Sequence, residues 1–324
     1  MRILSETQLR RFEEEGYLIV EDILDPVRAF EPIWAEYEQV LDRIADSLYA
    51  EGAIRSTYAG RSFAQRLIHI YCDTGRNFHQ HFDISLPQSG LRHDTPIHVG
   101  PAVFNLLASP RLLNLIEDII GPEIYVNPVQ HIRIKPPERA VRRDAGYSAL
   151  VSRTPWHQDN GVILPEADGS HILTVWLPIT PATIENGCLQ VVPRSHRGEL
   201  LTHCPAGALG VSIPEQLIPG DRAVSLPMRP GSVLVMYQRT IHSSLENRTD
   251  DEVRVSFDLR YQPIGEPTGR PMFPGFIARS DAHPESVLRD PAAWAQRWYE
   301  ARAQLAAREH PLFNRWRADA PACA

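Results

Sequence analysis

The stretch Ser232–Tyr261, SVLVMYQRTIHSSLENRTDDEVRVSFDLRY, decides how the rest of the chain is read. Two runs rich in β-branched and aromatic residues, Ser232–Ile241 and Val253–Tyr261, flank a polar loop, which predicts two antiparallel strands. If they pair as a hairpin, His242 and Arg254 lie opposite one another on one face, with Ser256 next along it. Ile124–Ile134, Ile172–Ile179 and Cys188–Val192 share this texture, separated by Pro, Gly and an Asn186–Gly187 hairpin-turn signal. Strands crowded together without β–α–β alternation predict a mainly β fold with flanking helices, a two-sheet sandwich or a jelly roll of the cupin-like, double-stranded β-helix kind.

Working outward, Ser5 and Gln8 form a capping box ahead of Leu9 and Phe12, with Gly16 at the exit, so a short helix opens the chain. Tyr17–Val20 reads as a strand. Phe30, Ile33, Trp34, Tyr37, Val40, Leu41 and Ile44 recur at helical spacing over about 26–50, and Ser109–Pro110 to Gly121 brackets a further helix. Asp290 to about Arg308, with Trp294 and Trp298 four apart, predicts a final docking helix. The expected organisation is one domain over 1–324: a helical elaboration (1–122), a jelly-roll core (about 123–265) and a C-terminal extension with a helix (266–324).

The composition is that of an ordinary globular chain of 324 residues, 43% hydrophobic, with a formal net charge of −7. Without a clustered basic run there is no nucleic-acid footprint. No apolar stretch suits a signal peptidase or a bilayer, so the reading is cytoplasmic, with no membrane partner. The cysteines at 72, 188, 204 and 323 lack paired spacing, and free thiols are expected. Lys135 is the only lysine. Nothing in the pattern speaks to oligomeric state.

Chemistry is expected at TPWHQDN, residues 154–160. On a strand, His157 and Asp159 point to the same face and can share a metal ion. Chance supplies such pairs readily, since His81 and Asp83 form a second one, and a plain His–Asp hydrogen bond is the blander reading. His242 offers a third ligand. Two imidazoles and one carboxylate on one face of a metal leave the opposite positions open, as in non-haem ferrous oxygenases. The resulting charge of about +1 suits dianionic 2-oxoglutarate, whose far carboxylate calls for a planar, permanent cation. Arg254 is the candidate, with Arg260 and Arg248 as alternatives; the plainer reading pairs Arg254 with Asp258 or Glu252.

Taken together, WHQDN, VWLP, ENGCLQVVPRSH, TIHSSLENR, the Arg-x-Ser of RVSFDLRY, the opening EEEGYLIVEDIL and the phrase IKPP resemble the phytanoyl-CoA dioxygenase family of iron- and 2-oxoglutarate-dependent oxygenases, over about residues 5–265. The resemblance implies His157, Asp159 and His242 as iron ligands and Arg254 as the 2-oxoglutarate anchor. It also puts Trp176 and His131 at cosubstrate-contacting positions, although His131 departs from the apolar or amide residue expected there. Halogenating relatives lack the carboxylate ligand, so Asp159 favours hydroxylation or a related oxidation. The implied activity is a dioxygenase of specialised metabolism that uses Fe(II), 2-oxoglutarate and O2 on a small organic substrate, releasing succinate and CO2. Two other readings are a non-catalytic jelly roll that binds a small ligand or a metal, and a zinc hydrolase built on the same face. Arg139, Arg142 and Arg143 in the loop after Lys135 are candidates for meeting an anionic substrate, and Tyr71–His98 is a candidate lid.

Overall fold

Capping chemistry sets the helices. In the computed structural model, which describes residues 2–87, 90–141, 151–206, 209–219, 222–307, 315–316 and 319–323, α1 (Glu6–Glu15) begins at the Ser5–Gln8 capping box and ends on left-handed Gly16. Next come β1 (Tyr17–Val20) and α2 (Pro26–Ala50), the latter capped by Asp25 and burying Phe30, Ile33, Tyr37 and Leu41. Two helices go beyond the sequence-based expectation, α3 (Phe63–Thr74) and α4 (Pro101–Leu107). The first had legible signals: Ser62 caps the Gln65 N–H and Gly75 adopts the left-handed exit. Helix α5 (Pro110–Ile120) ends at Gly121 as expected.

The strands are β2 (Ile124–Val126), β3 (His131–Lys135), β4 (Leu173–Pro178), β5 (Leu189–Val191), β6 (Cys204–Pro205), β7 (Val211–Ser212), β8 (Val224–Leu226), β9 (Val233–Tyr237), β10 (His242–Ser244), β11 (Arg254–Pro263) and β12 (Phe276–Arg279). Helix α6 (Pro291–Ala306) follows, with Trp294 and Trp298 buried. The large antiparallel sheet runs β1-β9-β4-β11-β2-β12, with β3 also on β11, and the small one runs β10-β5-β8. This is the expected double-stranded β-helix. No helix among the described residues is long and apolar enough to cross a membrane.

Three local expectations are corrected. Strands β9 and β11 do not form a hairpin: β9 pairs with β1 and β4, β11 with β2, β3 and β4, and the intervening β10 belongs to the other sheet. Asn186–Gly187 does make a turn, with Gly187 at φ 96°, but it carries the chain from the large sheet to the small one instead of closing a hairpin. Cys204 and Cys323 form a disulfide across 119 residues, leaving Cys72 and Cys188 free.

Strand alternation sorts the large sheet into two faces. Val255, Phe257, Leu259 and Tyr261 of β11, with Ile132, Ile134, Val175 and Val235, pack against the helices in the main core. The other face lies toward the small sheet, where Trp176, Leu234 and Met236 meet Leu189, Val191 and Leu226. By register this inner face also carries Arg254, Ser256, Asp258 and Arg260. Charged side chains are therefore buried between the sheets, where only a polar function or mutual pairing compensates for lost hydration.

Candidate metal centre

His157 and Asp159 do not sit on a regular strand. His157 makes a single antiparallel bridge to His242, with N–H to carbonyl bonds of 2.9 Å in both directions, and Asp159 opens a short 3-10 turn, Asp159–Val162. The bridge puts the two imidazoles side by side, centroids 4.1 Å apart. Each ring is aimed alike: Nδ1 donates to the carbonyl two residues back, Pro155 for His157 and Thr240 for His242, at 2.9 Å. A carbonyl only accepts, so Nδ1 holds the proton and Nε2 presents its lone pair. Ligand atoms from His157, Asp159 and His242, all buried, lie within 4.8 Å of one another, and no other such cluster occurs among the described residues. The second motif holds together in neither way: His81 is exposed on a 3-10 turn, and Asp83 instead accepts from His131 Nδ1 at 2.9 Å and from the Ile132 N–H at 3.1 Å.

Asp159 is held on both oxygens. Arg260 Nη2 donates to Oδ1 at 2.5 Å, and the Thr174 hydroxyl donates to Oδ2. Burial alone raises its pKa, but Arg260, then His242, overcome that and leave it at about 2. Arg260 thus serves the carboxylate and is not a free cosubstrate anchor. Its Nη1 donates to the Val129 carbonyl at 3.0 Å, and Asp258, 3.6 Å from Nη2, is bonded at 2.8 Å by Arg133. Asp159, Arg260, Asp258 and Arg133 form a buried row of alternating charge. Arg133, Asp258 and Thr174 escaped the sequence reading, though period two along β11 places Asp258 and Arg260 on the Arg254 face.

A pocket between the sheets opens beside the histidines, lined by Arg133, Thr154, Trp176, Leu189, Met236 and Arg254. Arg254 is buried; Nη1 donates to Ser256 Oγ at 2.6 Å, while Nε and Nη2 have no partner among the described residues. Its guanidinium carbon lies 5.6 Å from the Trp176 ring centroid, a cation–π contact. Burial, then the like charge of Arg133, disfavour this cation. Trp176 also packs in the inter-sheet core. His131 is not among the lining residues and is held by Asp83. Arg248 is exposed, Arg139 is exposed and paired with Asp250 at 3.1 Å, and Arg142 and Arg143 lie outside the described residues. In the candidate lid, His79 bonds the Ile132 carbonyl and His98 bonds Glu36. A larger cavity of about 510 Å³, lined by Ile119, His171, Tyr237 and Arg239, carries no ligand cluster.

His203 is a further residue that sequence reasoning missed. It is fully buried and its Nε2 accepts the Gln158 N–H at 2.8 Å, between the two ligand residues. Burial, then His242, bring the His157 imidazole down to about 3, and burial brings His203 down to about 4, both from an ordinary 6.5. Each withholds a proton that the unfolded chain takes up, so the associated stability is full above about pH 6.5 and is lost as the pH falls toward those values. The metal-free protein is expected to melt at progressively lower temperature as the pH falls below about 6.5. The slope reaches about 1.4 kcal/mol per pH unit for each histidine. Thermal melts across this range check it; a flat profile down to about pH 4.5 contradicts it.

The comparisons with known proteins agree with the geometry. The family model described as Phytanoyl-CoA dioxygenase (PhyH) matches residues 12–256. A probable phytanoyl-CoA dioxygenase of Caenorhabditis elegans is 32% identical over 158 residues, 46% of this chain and 47% of that one. A 1-deoxypentalenic acid 11-beta-hydroxylase of Streptomyces arenae is 30% identical over 170 residues, 49% of this chain and 56% of that one. The chain thus aligns with about half the length of these two relatives. Among solved structures, the non-heme monooxygenase ThoJ–Ni complex shares the fold, with a TM-score of 0.53 and 20% identity, covering 93% of this chain and 98% of that one.

Proposed function

The chain belongs to the phytanoyl-CoA dioxygenase family, and from that premise we propose that it is an iron(II)- and 2-oxoglutarate-dependent oxygenase. It oxidises a small organic substrate, most simply by hydroxylation, with release of succinate and CO2. One observation carries the reading: two imidazole nitrogens and a carboxylate converge within 4.8 Å at the edge of a pocket that also holds a buried arginine, two of whose nitrogens have no partner among the described residues. The donor set fits ferrous iron, being two neutral nitrogens and one anionic oxygen grouped to one side. The arginine fits the far carboxylate of 2-oxoglutarate.

When bound, iron with 2-oxoglutarate and dioxygen supplies the oxidising chemistry, and the protein supplies placement. The Pro155 and Thr240 carbonyls accept from Nδ1 of each ring and so orient both imidazoles with Nε2 toward the site. Arg260 holds Asp159 ionised, and Arg260 and Thr174 together fix its two oxygens in place. Arg254, stacked on Trp176 and bonded to Ser256, presents Nε and Nη2 to an incoming carboxylate, and the apolar walls at Leu189 and Met236 exclude water. His131, held by Asp83, takes no part. The test is direct. Candidate metabolites are screened for succinate formation that depends on oxygen, iron and 2-oxoglutarate, and anaerobic addition of iron and 2-oxoglutarate is followed by visible spectroscopy. Absence of both a charge-transfer band and succinate overturns the proposal.

Arg254 offers a sharper check because its two roles oppose one another. Replacing a buried cation that lacks a carboxylate partner with Met removes a desolvation cost, so the cosubstrate-free protein is expected to gain stability. Losing charge-assisted bonds, each worth about 1.5–3 kcal/mol, should raise the KM for 2-oxoglutarate about 100-fold. Steady-state kinetics beside thermal melts decide: an unaltered KM assigns the cosubstrate to another cation.

A further inference from the structure

The turn that carries Asp159 is braced from outside by residues near the C-terminus. Arg315 grips Asp168 with both terminal nitrogens, at 2.8 and 2.9 Å, and its Nη2 also donates to the Asn160 carbonyl at 2.5 Å. Trp316 Nε1 donates to the Gly161 carbonyl at 2.7 Å. The Trp316 indole stacks on the His203 imidazole, centroids 5.2 Å apart and planes 24° from parallel. His203 donates through Nδ1 to the Leu201 carbonyl at 2.8 Å, so its Nε2 is free to accept the Gln158 N–H. Its ring fills the space beside Gly161, where an added Cβ would lie 2.2 Å from Nε2. Cys204, the next residue, is bonded to Cys323, so the end of the chain is fastened to the segment that carries His203.

These contacts act on backbone groups at 158, 160 and 161, on either side of Asp159. The side chain of Asp159 is aimed by Arg260 and Thr174, but its Cα lies in a 3-10 turn that no sheet ladder holds. Beyond the bonds internal to the turn, its backbone is tied by Gly161 N–H to the Gln158 carbonyl, Asn160 N–H to the Gln238 carbonyl and Arg270 Nη2 to the Val162 carbonyl. The carbonyls of Asn160 and Gly161 accept from Arg315 and Trp316, residues 155 positions further along the chain. Removing these donors frees the turn to shift, and a ligand carboxylate tolerates little displacement before metal affinity falls.

We propose that Arg315 and Trp316, anchored through the Cys204–Cys323 disulfide, are positioning residues for the metal-binding turn and set its affinity for a divalent cation by fixing the backbone around Asp159. The proposal rests on reading His157, Asp159 and His242 as ligands.

The test is Co(II) titration by calorimetry into the chelator-stripped, full-length protein. Trp316→Ala is expected to bind Co(II) about tenfold more weakly, within the range that supporting residues command. Trp316→Phe, which keeps the stack but lacks the donor, should fall between it and the parent, and Arg315→Ala and Cys323→Ser should shift affinity in the same direction. Arg76→Ala, which cuts an exposed ion pair to Glu51 on the helical side, should leave affinity unchanged. The 2-oxoglutarate KM, set at Arg254, should move far less than the Co(II) affinity. Trp316→Phe and Arg315→Ala that both bind within twofold of the parent overturn the proposal, whether or not Trp316→Ala folds. A parent protein that binds no Co(II), or a His157→Ala variant that binds it equally well, defeats the ligand reading and removes the proposal with its premise.

Discussion

His157→Ala is expected to lose Co(II) or Fe(II) binding and oxygen-dependent 2-oxoglutarate turnover by at least about 1,000-fold, because loss of a ligand exceeds the 10–100-fold that a supporting residue typically commands. His242→Ala should behave alike. The symmetry of the two rings argues for equal effects: each is buried, each spends Nδ1 on a carbonyl two residues back, and each backbone bonds the other. The substitution also separates function from fold. His157 is a group that resists protonation in the folded protein, so the metal-free Ala variant should lose stability less steeply than its parent between about pH 6.5 and 4. Calorimetric titration, succinate assays and melts at several pH values give the result. Metal affinity within tenfold of the parent would show that the three side chains meet for another reason.

What the sequence revealed, and what it hid, follows from range. Local signals held up wherever a few adjacent residues carried them: the Ser5–Gln8 box, Gly16, Ser109–Pro110 and the Trp294/Trp298 pair mark helices at the places expected. Period two gave the strands, and it places Arg254, Ser256, Asp258 and Arg260 on one face before any partner is known. Partners were the hidden part. In a jelly roll, consecutive strands commonly belong to different sheets, so β9 and β11 read as neighbours along the chain yet pair elsewhere. The convergence of residues 157, 159 and 242 was legible through the family resemblance of the motifs around them, since a His–Asp pair two apart arises readily by chance and the hairpin expected to bring in His242 does not form. Arg260 shows the converse: an arginine on the right face fits the cosubstrate or the ligand carboxylate equally well on paper, and a contact across 101 residues decides between them. The disulfide at 204 and 323 and the roles of His203, Arg315 and Trp316 had no local signature.

That same contact yields the largest expected change in stability. Arg260 and Asp159 are 2% and 1% exposed, and Arg260 lies between Asp159 and Asp258 in a row whose far end is Arg133. Replacing Arg260 with Met leaves two carboxylates buried near each other with no cation between them, Arg133 remaining only on the far side of Asp258. Breaking a buried pair in this way costs about 3–5 kcal/mol. Metal should restore part of the loss, since a divalent ion supplies Asp159 with the positive charge that Arg260 had provided, so the stabilisation on adding Co(II) should be larger in Arg260→Met than in the parent. The pH dependence has a defined sign. Arg260 is the leading influence that lowers the Asp159 pKa, so in its absence that carboxyl titrates higher, and the variant's deficit should shrink as the pH falls and Asp159 takes up its proton. Arg260→Lys keeps the charge but not the fork that reaches Asp159 and Val129 together, and it should recover only part of the stability. A deficit below about 1 kcal/mol, equal at pH 5 and 8 and indifferent to Co(II), would mean that Arg260 contributes packing and not charge, and that Asp159 is held ready for metal by Thr174 alone.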